Sequence, residues 1–425
     1  MRTIKLLLLL FGMTITAQSS WQSAPNIISN PNGQRFDDVF FLNSNLGWAA
    51  NGYYAAVYKT TDGGLTWTEQ LNEDDLSDSY YFRNIEFLNE DIGFIGTLNG
   101  TVFKTIDGGA NWAAIENISP NPNAICGLNA VGTSTVYGCG AYFSPAHIIK
   151  STDSGDTWTF IDMSSYADAL VEISFIDENI GFVSGKDSNG AIILKTTDGG
   201  LTWTELYNSN IPGEYVWKIQ TLDNNSNFVF GAIQSVSPFN GKLIKSIDGG
   251  ANWLEYEAAE TDIQAVGFLT ETHGWLGGHT TGFYETLDGG DTWTNLETGN
   301  NLNRIFVIDE TTAFAAGTTV YKYTNESLSV SDLESETITK HINISIIINP
   351  ITDYIELTID YKSDDNILIE LYDVNGKLIK QLKRDVILQP IIKDYKFNIS
   401  ELASGTYFIN LHNNSGRSSI KIVKS

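Results

Sequence analysis

The chain has 425 residues, of which 42% are hydrophobic and 12% aromatic, and a formal net charge of −26. That is ample apolar material for two or three packed domains, which excludes a disordered chain. The charge excludes nucleic acid and anionic lipid as partners, because so acidic a body repels polyanions.

At the start, Arg2 and Lys5 precede the apolar run Leu6 to Phe11, and small residues lead to Ala17. This is the pattern of a secretory signal peptide, residues 1–17, cleaved after Ala17. No other stretch approaches the ~20 consecutive apolar residues of a spanning helix, so no transmembrane segment is expected. Beyond it the charge is uneven: residues 18–330 hold 12 Lys or Arg against 38 Asp or Glu, whereas 331–425 hold 11 against 13.

Residues 36 to 70 show one complete unit of four short strands. Val39 and Phe41 alternate in the first, Gly47-Trp48-Ala49 forms the second, Ala55 to Thr60 the third, and Trp67 to Gln70 the fourth. Its third-to-fourth connection, Tyr58 to Trp67, recurs five times as an apolar residue, usually Lys, then Ser/Thr-x-Asp-x-Gly-x-Thr/Asn-Trp. The aspartates Asp62, Asp107, Asp153, Asp198, Asp248 and Asp288 are 45, 46, 45, 50 and 40 residues apart. A period of that length with four strands per unit predicts a β-propeller. Each box is a turn in which glycines supply positive φ and the Asp and Ser/Thr side chains bond turn amides. Trp67, Trp112, Trp158, Trp203, Trp253 and Trp293 then pack between neighbouring units. Six identical turns cannot all be one active site, so the boxes read as structure.

The second-strand aromatic recurs seven times, as Trp48, Phe94, Tyr137, Phe182, Phe228, Trp275 and Phe314, with an apolar residue nine positions before each. The first hairpin is therefore expected to have one length throughout. The seventh unit ends at Tyr323 with no box, and Ser20-Trp21-Gln22-Ser23 resembles Thr66-Trp67-Thr68-Glu69. The expectation is an all-β, seven-bladed propeller over 18–325, closed by its N-terminal strand, which removes the open edges of a linear array. Residues 326–341 are polar, acidic and without strand period, and read as a linker. From 342 to 425 seven short strands separated by turns predict a small Ig-like β-sandwich.

The six boxes and their Gly-Trp/Phe-x-x-Gly partners resemble the photosystem II assembly and stability factor type of propeller, within the wider Asp-box or BNR-repeat group. That group also includes sialidases, xyloglucanases and sortilin-like receptors, so the resemblance implies fold rather than function. The arginine-rich patch of the photosynthetic members has no counterpart where the only propeller arginines are Arg35, Arg83 and Arg304. The tail resembles the C-terminal sorting domain of the type IX secretion system, through Asn349-Pro350, Asp353-Tyr354, Leu371 to Lys377, Ile399 to Ile409 and the basic end Lys421 to Lys424. Ile348 departs from the usual Pro-Asn-Pro turn. The resemblance implies handling by the type IX machinery and a secreted or outer-membrane surface location reached through the periplasm.

No metal-spaced His/Cys cluster, G-x-S-x-G or phosphate loop is present, so no catalytic residue, metal or cofactor is assigned. The five histidines are scattered, and as lone loop residues they read as solvated. A sialidase would need an arginine trio with a Tyr/Glu pair, and no such pair is identifiable; a glycoside hydrolase of an Asp-box class stands as the alternative to a non-enzymatic binding propeller. The loops opposite the boxes carry Tyr53, Tyr54, Tyr80, Tyr81, Tyr142, Phe143, Tyr166, Tyr215, Trp217 and Phe239, which suits a glycan or protein ligand. Eleven and ten residues before the second-strand aromatic, the blades place Asp37, Asp38, Arg83, Glu172, Trp217, Lys218 and Arg304 around the channel mouth on that loop face. With Tyr81 these are the candidate ligand-binding residues, Trp217 as an exposed rim aromatic. Cys126 and Cys139 face each other across a hairpin centred between Gly132 and Thr133, and a disulfide is expected in a secreted protein, with two buried thiols as the alternative.

Overall fold

The computed structural model describes residues 19–28, 34–222 and 224–325, and in the C-terminal part 342–346, 352–361, 365–373, 377–387, 389, 391–413 and 416–424. The signal peptide and the linker expected from the sequence lie outside the described residues. The chain divides into two compact units between Glu326 and Ser327.

The first unit is a seven-bladed propeller. Among the described residues it comprises seven four-stranded antiparallel sheets, and six of them run in simple sequence order, blade 1 being Phe36–Phe41, Gly47–Asn51, Ala56–Thr60 and Thr68–Leu71. Blade 7 holds Arg304–Asp309, Thr312–Ala316 and Val320–Thr324, and Ser20–Ser23 supplies its outer strand with Trp21 opposite Tyr323. The ring is thus closed by the N-terminal strand, as its sequence likeness to a fourth strand predicts. Trp21 fixes that closure by stacking on Phe283 of blade 6 at 4.1 Å and meeting Trp275 edge-on at 5.1 Å.

The boxes are built as expected. In the first, Asp62 accepts from the Thr66 amide at 2.9 Å and the Thr66 hydroxyl at 2.6 Å, while the Thr60 hydroxyl takes the Gly64 amide at 2.9 Å. Positive φ at Gly63 and Gly64 lets those two amides turn inward. The same bonds recur at Asp107, Asp153, Asp198, Asp248 and Asp288. The box tryptophans pack where blades meet: Trp67 and Trp112 lie edge-on to Phe41 and Phe87, Trp158 to Phe94 and Trp203 to Phe175, while Trp253 is tilted on Tyr207 and Trp293 joins the Phe268 cluster.

Two expectations about the first hairpin are corrected. In blade 5 the residue opposite Gln220 is Phe230, not Phe228, so this hairpin is two residues longer than its counterparts. Phe230 also makes the inter-blade stack on Phe268, at 3.8 Å, that Trp48 makes on Phe87 and Tyr137 on Phe175. Second, Cys126 and Cys139 are buried free thiols. The ladder pairs Gly127, not Cys126, with Cys139, and Cys126 is an extra residue whose amide also bonds the Cys139 carbonyl. Their side chains join different clusters, Cys126 with Ala124, Ala141 and Val171, Cys139 with Ile148, Leu170 and Val183. Burial pushes the Cys126 thiol up to about 11, so neither is a ready nucleophile.

The second unit is a β-sandwich. A three-stranded sheet (Ile342–Ile346, Tyr354–Tyr361, Ile391–Asn398) and a four-stranded one (Leu378–Ile387, Asp365–Asp373, Gly405–Asn413, Gly416–Lys424) share one core. Ile355, Leu357 and Ile359 from one sheet meet Ile367, Ile369, Leu371, Ile409 and Leu411 from the other.

Candidate functional site

The extra residue at Cys126 belongs to a repeating device. In blades 1, 2, 4, 5 and 6 the innermost strand shifts register at the same place, leaving Asp37, Arg83, Val171, Trp217 and Gln264 unpaired in the ladder. Such bulges re-aim side chains. Here they turn one level of the propeller inward, and with the next residue of each strand they form a charged ring around the channel.

The structure brings these charges together but spends them on one another. Asp37 accepts from Arg83 at 2.9 Å, Arg35 at 3.2 Å and the Tyr81 hydroxyl at 2.9 Å. Glu172 pairs with Lys218 and, at 2.7 Å, with Arg304. Asp38 takes the Ile85 amide of the next blade at 3.0 Å and lies 3.6 Å from the Arg304 Nε. Asp37, Asp38, Arg83, Glu172 and Lys218 are all buried. The expected open mouth is therefore a closed layer of ion pairs, and breaking such pairs one partner at a time is costly. Burial pushes the Glu172 carboxyl up, but Lys218 and Arg304 outweigh it and hold it below its usual value; burial dominates at Asp38, which is raised. Burial likewise lowers Lys218 despite Glu172. Arg304 keeps the most exposure of these cations, 21% of its side chain against 12% for Arg35 and 4% for Lys218.

Trp217 is half-buried rather than an exposed rim aromatic. Arg83 stacks against it at 5.6 Å, Tyr215 lies parallel at 5.2 Å, and its indole Nε1 is buried with no hydrogen-bond partner. The three arginines do converge, as their register predicts, yet Arg35 and Arg83 share Asp37 while Arg304 serves Glu172 and Asp38. No arginine trio is left to hold a substrate carboxylate. Around this layer on the loop face, Tyr53, Tyr142, Phe143, Tyr166 and Phe239 are exposed, whereas Tyr80 caps a blade end edge-on to Phe103.

Three features escaped the sequence reading. Arg35 also donates to Gln264 at 3.0 Å and Asn301 at 3.1 Å, and its NH1 lies 2.7 Å from the His279 Nε2, tying blade 1 to blades 6 and 7. His279 and His147 are not solvated: His147 is buried against Phe160, and burial lowers both imidazoles. Glu86, below the charged layer, is buried and accepts from the Ala130 amide at 3.1 Å; burial pushes its carboxyl up to about 8. The two-residue alternation from Asn84 to Glu86 was the available signal for it. On the box side of the layer the channel opens into a cavity of about 410 Å³ bounded by Lys218, Gln220, Thr221, Phe268 and the stretch from Arg304 to Glu310.

Fold and layer together define an Asp-box propeller followed by a β-sandwich. Residues 345–425 match the secretion system C-terminal sorting domain family, and residues 14–159 match the photosynthesis system II assembly factor YCF48 family. A curated relative, photosystem II assembly lipoprotein Ycf48 of Synechococcus sp. (strain CC9902), is 26% identical over 301 residues, covering 66% of this chain and 81% of its own. Among solved structures, YCF48 from Cyanidioschyzon merolae superposes with a TM-score of 0.57 at 20% identity, over 72% of this chain and 99% of that one. YCF48 bound to D1 peptide gives 0.56 at 19%, over 72% and 97%. PorZ, described as an essential bacterial surface component of the type IX secretion system of Porphyromonas gingivalis, gives 0.51 at 14%, over 94% of this chain and 61% of that one. At these identities the structural likenesses establish the fold.

Proposed function

We propose that this chain is a non-enzymatic binding or scaffold propeller, exported by the type IX pathway to the medium or the outer-membrane surface, that recognises a glycan or protein through its loop face. In this reading residues 1–17 are a cleaved leader and 326–341 a linker to the sorting domain. The match of residues 345–425 to the sorting-domain family supports export. The observation that carries the binding reading is the contrast within the loop face: the charges of the inner ring are paired with one another, while Tyr53, Tyr142, Phe143, Tyr166 and Phe239 remain exposed around them. Aromatic rings among Asn, Ser and Gly give contact area at low entropic cost. Catalysis by proton transfer needs an acid or base free to reach a substrate, and the buried carboxylates of the ring are committed to cations.

The test is a glycan array and a protein-capture assay on the purified protein, run beside a fluorogenic glycosidase panel. Capture that falls at least tenfold in a Tyr53→Ala, Tyr142→Ala, Phe143→Ala, Phe239→Ala variant of unchanged melting temperature is the expected result. Turnover of a glycosidase substrate, or capture indifferent to these residues, overturns the reading.

A further inference from the structure

The innermost strand of every propeller blade has an edge with no neighbour, and its outward amides need acceptors. In blades 2, 3, 4 and 6 a side chain of the preceding blade takes one of them. Asp38 takes the Ile85 amide, Glu86 takes that of Ala130, Asn129 that of Phe175, and Gln220 both accepts from Phe268 and donates to its carbonyl. Blade 7 shares this register, since Arg304 pairs with Ala316 and Phe306 with Phe314 as Asn84 pairs with Gly96 and Glu86 with Phe94. The matching outward amides are Ile305 and Val307. Blade 6 faces them with Ala265 and Gly267, neither of which has a side-chain acceptor, and Gly267 lets the strands approach so closely that a Cβ there would lie 2.2 Å from Ile305. No described side chain takes either amide. The cavity of about 410 Å³ runs along this same strand, from Arg304 at its deep end to exposed Asp309 and Glu310 at the box face.

We propose that the channel is a peptide site, in which an extended segment of a partner protein enters from the box face, adds to the free edge of Arg304–Asp309 and meets the Arg304 guanidinium at its inner end. Main-chain pairing along an open edge supplies affinity without demanding one side-chain sequence. The walls suit this: Phe268, Phe306 and Ile308 offer apolar surface, Gln220 and Thr221 polar. The volume is that of an ordinary ligand pocket. This site lies on the opposite side of the charged layer from the loop-face aromatics, so either can fail without the other.

The experiment uses the full chain and a pool of random decapeptides, with a mixed oligosaccharide pool beside it. Val307→Pro deletes the outward amide without touching the ladder, and Val307→Ala keeps it. Peptides should be retained by wild type and Val307→Ala, with affinity at least tenfold lower in Val307→Pro, while the loop-face variant behaves as wild type. Hydrogen exchange provides a second reading independent of ligand: without peptide the Ile305 and Val307 amides should exchange at least tenfold faster than Ala130, Phe175 and Phe268. Failure to retain peptides, equal retention by Val307→Pro, selective oligosaccharide retention, or protection of Ile305 and Val307 equal to the bridged amides overturns the proposal.

Discussion

Gly47, Gly93, Gly181 and Gly274 each precede a second-strand aromatic, and a Cβ at any of them would lie within 2.6 Å of the ring of Phe41, Phe87, Phe175 or Phe268. Where the opposed residue is Ala130, Thr221 or Val307, the glycine is replaced by Val136, Val229 or Ala313. The glycine is thus the footprint of a ring, which explains why Gly-Trp/Phe was readable as part of the repeat. Gly93→Ala should cost about 1–3 kcal/mol, the usual range for overpacking. Urea denaturation checks this, and a loss below about 0.5 kcal/mol would show that Phe87 can move aside. Glu86 gives a prediction in pH. Its folded carboxyl is raised to about 8 by burial, with Asp38 and Glu172 adding to the rise and Arg304 opposing it. Between the unfolded value near 4.3 and about 8 the folded state holds a proton the unfolded chain has lost, so stability falls across that window as pH rises. Glu86→Gln keeps the acceptor for Ala130 but removes the titration. Its stability should equal wild type near pH 4.5 and exceed it by roughly 1–3 kcal/mol at pH 8, and parallel urea curves at both pH values would refute the assignment.

At the scale of elements, the lysine before each box is a stitch between blades. Lys59, Lys150 and Lys195 donate to the carbonyls of Gly108, Gly199 and Gly249 in the next box, at 2.8 to 2.9 Å. Blade 6 carries Glu285 instead, because blade 7 has no box to receive a lysine; Glu285 takes His273 and the Trp275 indole. That the position is usually Lys is legible in the sequence, but the reason is not, because it needs the order of blades in space. The closing strand was legible from Ser20 to Ser23 because a fourth strand has a fixed polar-Trp-polar signature. The blade 5 hairpin was not, since Phe228 and Phe230 lie two apart and both fit the pattern, and only the register with Gln220 decides between them. The bulge was equally silent, because one extra residue in each inner strand leaves the repeat spacing unchanged. It is also why the repeat spacing sets the channel residues at one level without revealing that they pair with one another there. Trp21→Ala should lower stability by about 3–5 kcal/mol, as for other buried aromatics. Because the ring closes through this strand, limited proteolysis should then cut first between Val320 and Thr324; uniform resistance would show that the outer strand is dispensable.

At the scale of the molecule, the propeller's core is complete within residues 19–325, since its last blade is finished by its own N-terminal strand rather than by anything downstream. The sandwich likewise holds its own core of isoleucine and leucine. Each unit thus has a core of its own, and removing residues 343–425 should leave the propeller's melting temperature within a few degrees of the full chain. On the proposed reading the tail contributes an address, which the match of residues 345–425 to the sorting-domain family supports. In the native host the truncated protein should therefore accumulate in the periplasm, folded and protease-resistant, while the full chain reaches the surface or the medium. The two measurements separate the causes of failure. A truncated protein that is degraded shows that the propeller depends on the sandwich for folding, whereas one that is folded and still exported shows that residues 343–425 do not direct secretion.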